Sequence, residues 1–249
     1  MDETSSPTSP ERSSDSRRGL AIVAWGVLAA LQIALAFMIM LLVDEDEVGR
    51  DGLYEYGTAI GNAFVYLVLL GLTVAIAGIA GRPSVVLGLR SFAWRWVGAA
   101  IGIGIGVAAL SYLIAALLGL DAGSEQGILP EDWRPERAGA IAANAVVIVV
   151  AAPLVEELFF RGAGVGLLQS IGAVTAMVVT GVAFGLAHGL LIGLLPLAVF
   201  GIGLAWVRLR STSVWPCVIG HALYNGAVLS IGLLCLSDAE CRATLGCVM

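Results

Sequence analysis

The sequence predicts an all-α fold, a polytopic membrane bundle of about seven helices. Three observations carry this prediction. Hydrophobic residues make up 59% of the 249 residues and charged residues only 13%, where a soluble domain carries about 25% charged. Mean hydropathy is +0.94. The apolar residues also fall into runs of roughly 20, the length an α-helix needs to cross the hydrocarbon core.

The elements follow in order. Residues 1–19, rich in Ser with Pro7 and Pro10, are expected to be a disordered cytoplasmic tail. Leu20 to Val43 is too long for a signal-peptide core, has no small-residue cleavage site and ends in Asp44-Glu45-Asp46-Glu47, so it reads as an uncleaved first span. Further runs at 58–80, 96–119, 139–169, 172–191, 193–208 and 213–236 complete seven spans. The stretch 172–208 carries no charge until Arg208, and Gly189, Gly193 and Pro196 mark its turn. The chain therefore divides into N-terminal spans (20–138), a core (139–236) and a C-terminal tail (237–249).

All 13 basic residues are Arg. With alternating spans, Arg12, Arg17, Arg18, Arg82, Arg90, Arg95, Arg208 and Arg210 share one side; Arg50, Arg134, Arg137 and Arg242 lie on the other. The positive-inside rule then places the N-terminus in the cytoplasm and the C-terminus outside, in the plasma membrane. The six Trp (25, 94, 96, 133, 206, 215) fall near span ends or in flanking loops, as an aromatic belt requires. Repeats of glycine at 98, 102, 106 and at 181, 185, 189 each predict a helix face for close helix packing. The net charge of −6 comes mostly from the tail and two loops and says nothing of a nucleic-acid partner, but no basic patch of the kind such binding needs is visible, so that reading is dropped. The four Cys have no zinc-finger spacing, and Cys247-Val248-Met249 is one residue short of a prenylation box. A disulfide among Cys235, Cys241 and Cys247 is an expectation if the tail faces an oxidising side.

Against this apolar background three polar motifs stand out: Glu156-Glu157-x-x-x-Arg161, Phe184-x-x-x-His188 and His221-x-x-x-Asn225. Ionisable groups inside spans cost roughly 2.5–3.5 kcal/mol each on insertion scales, so they mark function by default. Glu157 and Arg161, at i and i+4, are spaced for an intrahelical ion pair. Glu156 points about 100° away around the helix and has no partner there, which suits a general base acting on water. His221 and Asn225 share a helix face and offer N–H donors of the kind that bind a developing oxyanion. The bland alternatives are a register-fixing Glu157–Arg161 pair, packing histidines, and an Asn225 bonded to a backbone carbonyl. Depth adds a condition. At 1.5 Å per residue, Glu156 meets His188 only if the fourth helix runs well past Arg161.

In this order the three motifs resemble the CAAX-protease and bacteriocin-processing (CPBP or Abi) family of intramembrane proteases, over about residues 139–230. The resemblance implies an eight-helix-like all-α fold and peptide-bond hydrolysis in a membrane-associated protein or peptide substrate, such as a prenylated or leader-peptide one. It implies that Glu156 with His188 activates the attacking water, that His221 with Asn225 holds the oxyanion, and that Glu157 and Arg161 support the site. Family members are often called metalloproteases. Glu156, His188 and His221 are candidate ligands for Zn, while a metal-free, glutamate-dependent mechanism fits the same residues, since no His-Glu-x-x-His is present. Two rival readings use the same residues: a proton- or ion-coupled transporter, and a catalytically silent membrane scaffold or immunity protein. The paired, interrupted repeats usual in transporters are not visible. Partners are membrane lipids and the substrate.

Overall fold

The structure is a computed structural model that describes residues 9–42, 51–119 and 133–235. The disulfide expected among Cys235, Cys241 and Cys247 lies outside the described side chains, as does the C-terminal tail. The described residues are almost wholly helical and contain no strand, because hydrocarbon offers the backbone no hydrogen-bond partner and each span must satisfy its own. Among the described residues six helices are long and apolar enough to cross a membrane, and a shorter apolar helix joins them.

Helix α1 (Ser9–Leu42) starts in the segment expected to be disordered and continues through the first span. Helix α2 (Tyr56–Ala80) ends at Gly81, and Pro83 opens the short α3 (Pro83–Val86). Helix α4 (Arg95–Leu118) is closed by the left-handed Gly119. The fourth span then runs without a break from α5 (Ala138–Val146) through π-helical Val147–Ala151, α6 (Ala152–Glu157), π-helical Leu158–Gly164 and α7 (Val165–Leu168). It therefore does extend well past Arg161, as the depth condition required. Every residue from Leu158 to Leu168 is buried. A helix apolar and buried all round is a central one.

Helix α8 (Ala173–Leu186) is shorter than the expected 172–191 span. At 1.5 Å per residue its 14 residues reach only about 21 Å. It stops inside the bundle, and the chain turns through Ala187–Gly193 into α9 (Leu194–Ser211). Helix α10 (Trp215–Cys235) closes the bundle. Helix α8 packs on α9, α9 and α10 pack on α4, and α1 packs on α2.

The two glycine repeats behave differently. A Cβ at Gly181 would lie 2.5 Å from the Ile202 backbone nitrogen, and one at Gly185 2.9 Å from that of Ala198, so this face presses α8 against α9. The third rung belongs elsewhere: Gly189 lies beyond the helix end, with φ +67, and its turn abuts the Ala36 carbonyl of α1. The other repeat is a correction. Gly98, Gly102 and Gly106 meet nothing within 4 Å among the described residues; the α4 face in contact carries Gly104, which approaches Tyr224.

The loops group by end as alternating spans require. Arg134 pairs with Asp51 (3.0 Å) and Arg137 with Glu55 (3.7 Å), joining two loops assigned to the same side. At the other end Ser213 Oγ donates to the Arg90 carbonyl (2.7 Å) and Val214 N–H to the Gly88 carbonyl (3.0 Å). Trp25 departs from the aromatic belt. Its ring is buried, stacks on Phe159 and fills the notch left by Gly164.

Candidate active site

The central span positions the first motif, and its two π-helical segments explain how. In π geometry residue i bonds to i−5, the turn widens, and carbonyls become open to outside partners; such bulges recur at functional sites. Ala152 N–H donates to Val147 O, which fixes that register. The next rung, Pro153 onto Ile148 O, is missing because proline has no N–H. Asn225 fills it, donating from Nδ2 to Ile148 O at 3.0 Å. In the second segment, Trp25 Nε1 donates to Phe159 O at 3.0 Å. Two neighbouring helices are thus pinned to the irregular stretches that flank Glu156 and Glu157.

Glu157 is fully buried and joins the first and third motifs. Its Oε1 accepts from Arg161 Nη1 at 2.8 Å and from His221 Nδ1 at 2.9 Å. The i,i+4 pair read from sequence therefore forms, with both side chains 0% exposed. A carboxylate on Nδ1 fixes that nitrogen as the donor and leaves His221 Nε2 as the second functional position. Arg161 lies with Cζ 4.2 Å from the centre of the Phe184 ring, a desolvated cation–π contact.

The second motif meets the others through Phe184. Its buried ring lies 4.6 Å from the His188 ring, 5.6 Å from that of His221 and 5.4 Å from that of Phe160, centre to centre. His188 is in the turn just past α8, not within the helix as expected, and is exposed. Its Nδ1 is 2.7 Å from the Phe184 carbonyl. A carbonyl only accepts, so Nδ1 carries a proton and Nε2 is left as the position for a further partner.

Glu156 is half-buried, and its Oε1 accepts from the Tyr66 hydroxyl at 2.8 Å. Tyr66, on α2, was missed from sequence because nothing in its own span signals a partner; only its position as a polar group in an apolar run hinted at it. Among the described residues Glu156 and His188 are not hydrogen-bonded to each other. Nor does Asn225 share a partner with His221: one binds Ile148 O, the other Glu157. The backbone-bonded alternative for Asn225 is the one the structure adopts, with one amide hydrogen left over.

The candidate Zn ligands Glu156, His188 and His221 do not converge. No group of three or more His, Cys, Asp or Glu among the described residues is arranged to hold an ion. One polar atom of each is bonded elsewhere, to Tyr66, Phe184 and Glu157 respectively. The side chains present therefore do not fit a metal centre.

Neither curated proteins nor solved structures give a significant match to this chain. A family model does. The model described as type II CAAX prenyl endopeptidase Rce1-like matches residues 138–227, from the first residue of α5 to just past Asn225. That span contains all three motifs and the Glu157-centred cluster, and it supports a CAAX-type intramembrane endopeptidase in general terms. Over residues 138–227, then, this chain is similar to the type II CAAX prenyl endopeptidase Rce1-like family.

Proposed function

We propose that this chain is an intramembrane endopeptidase that uses Glu156 as the general base to hydrolyse a peptide bond in a membrane-associated substrate. The observation that carries the reading is the gathering of three sequence-distant motifs around Phe184, with Glu157 bridging Arg161 and His221. Glu156 takes a proton from a water molecule, the resulting hydroxide attacks the scissile carbonyl, and the same proton passes to the leaving amine. Tyr66 orients the Glu156 carboxylate through its bond to Oε1, and His188 Nε2 offers a second acceptor for the water. His221, oriented by its Nδ1 bond to Glu157, presents Nε2 to the oxyanion and serves as the donor in its imidazolium form, and Asn225, one helical turn on, supplies its remaining amide hydrogen. Arg161 holds the buried Glu157 carboxylate in place through the bond to Oε1. Glu157 Oε2 and Arg161 Nε and Nη2 have no partner among the described residues, which leaves polar valence in the site for water. The cytoplasmic placement of the N-terminus and the Arg-bearing loops completes the proposal, and with it comes a substrate bearing a lipid or leader segment.

The test is cleavage of a prenylated peptide and of a leader-peptide substrate by the purified chain in proteoliposomes. Glu156→Gln and His188→Ala should each lose at least 100-fold in kcat, on the scale of general-base catalysis. Val150→Ala, on a lipid-facing position 57% exposed, serves as the control. If Glu156→Gln cleaves at the control rate, the assignment is wrong.

A further inference from the structure

A cleft of about 200 Å³ opens between α1, α3, the end of α7 and the end of α9, and Glu156 is not among the residues that line it. Its polar lining is Arg18, Arg90, Arg208, Gln169 and Thr212. Among the described residues none of the three arginines pairs with a carboxylate. Three like charges that face one cavity with no counter-charge among the described residues repel one another, and such an arrangement persists where an anion offsets it.

Arg208 shows that the cleft is built. The side chain is 5% exposed, and its Nε has no hydrogen-bond partner among the described residues. The guanidinium lies flat against Gly88, where a Cβ would overlap Nη2 and Cζ. Gly88 has φ +69, a conformation that costs other residues strain. Its carbonyl is held by Val214 N–H, and the neighbouring Arg90 carbonyl by Ser213 Oγ, so the loop that shapes the cleft is tied to the start of α10. A buried cation set flat on a glycine, with an N–H unspent and two more arginines at the rim, matches the planar fork that grips phosphate oxygens.

We infer that this cleft binds a phosphate group, as carried by an anionic phospholipid headgroup or by free phosphate, through Arg208 with Arg18 and Arg90. The location suits the headgroup: Arg18 immediately precedes the apolar run of α1, and Arg208 lies in the last turn of α9, so both sit where the hydrocarbon ends. Basic pockets between spans at that level recognise lipid phosphates. The inference stands apart from the peptidase reading, since no residue of the cleft belongs to the Phe184 cluster.

The full chain, purified in detergent, would be heated with dioleoylphosphatidylglycerol, with dioleoylphosphatidylcholine or with inorganic phosphate, and the rise in Tm followed against concentration. Phosphatidylglycerol should stabilise the protein saturably and phosphatidylcholine should not. Arg90→Gln and Arg208→Gln should each weaken that binding roughly 5-fold, the scale of one basic residue at an anionic surface. Arg95→Gln, at the same end but outside the cleft, should bind as the parent does. An equal response to inorganic phosphate identifies free phosphate as the ligand; a response to phosphatidylglycerol alone identifies the headgroup. If Arg208→Gln does not fold, Arg90→Gln, at an exposed position, decides. No response from the parent to either anion, or unchanged affinity in Arg90→Gln, overturns the inference. So does an Arg208→Gln variant that melts lower yet binds as before, since Arg208 would then only cap the α9 end.

Discussion

Asn225 offers the sharpest test, because it carries two separable roles. Its Nδ2 donates to Ile148 O, the carbonyl that Pro153 leaves without its i→i−5 partner. Removing the amide in Asn225→Ala leaves that carbonyl unpaired in a low-dielectric setting, at a cost of about 1–3 kcal/mol. Asn225 is only half-buried, so lost packing adds little. Pro153→Ala restores an N–H aimed at the same oxygen, and in that background Asn225→Ala should cost less. The coupling in the double-mutant cycle should be about 1–2 kcal/mol, inside the 0.5–3 kcal/mol range for residues that share a partner. Chemical unfolding in detergent micelles measures all four proteins. The intrinsic gain from removing a helix proline cancels in the cycle. If the two substitutions add to within about 0.5 kcal/mol, the orphaned-carbonyl argument fails. Peptidase activity then separates the roles: in the double variant stability should recover while kcat stays low, since the second amide hydrogen is gone in both backgrounds.

Three further outcomes are expected. Glu157→Ala should destabilise the chain by about 3–5 kcal/mol in the same unfolding assay, because it strands a fully buried Arg161 charge; a change below about 1 kcal/mol would mean the pair contributes little. Tyr66→Phe removes only the hydroxyl on Glu156, so kcat should fall about 10-fold or more while stability shifts by about 1 kcal/mol; an unchanged kcat shows that the bond does not position the base. Gly181→Ala should cost about 1–3 kcal/mol by forcing α8 off the α9 backbone, whereas Gly102→Ala should be neutral or slightly stabilising, since nothing faces it. Equal effects from the two glycines would refute the packing difference.

Much of the site was legible in the sequence. Glu157 and Arg161 pair as the i,i+4 spacing requires, because both lie on one helix and local geometry suffices. The need for a long fourth helix came from the 1.5 Å rise alone, and the span does run to Leu168. Composition sufficed for the fold class, since in a bilayer few ways exist to satisfy a backbone. What the sequence could not supply were relations across helices. The two glycine repeats look alike in one dimension, yet only the face carrying Gly181 and Gly185 meets a neighbour. Trp25 reads as a belt residue until α1 is set against Phe159.

The same division holds at the chemistry. The sequence by itself determined which ionisable groups enter the membrane and which of them share a helix, because periodicity and insertion cost act within a single span. Only the tertiary structure decided who bonds to whom. His221 reaches Glu157, Asn225 serves Ile148 O, Tyr66 holds Glu156, and His188 sits in a turn past a helix that ends early. Those choices depend on where the π-helical turns of the central span open its carbonyls and on which faces neighbouring helices bring to them, and both are settled by packing between segments far apart in the chain.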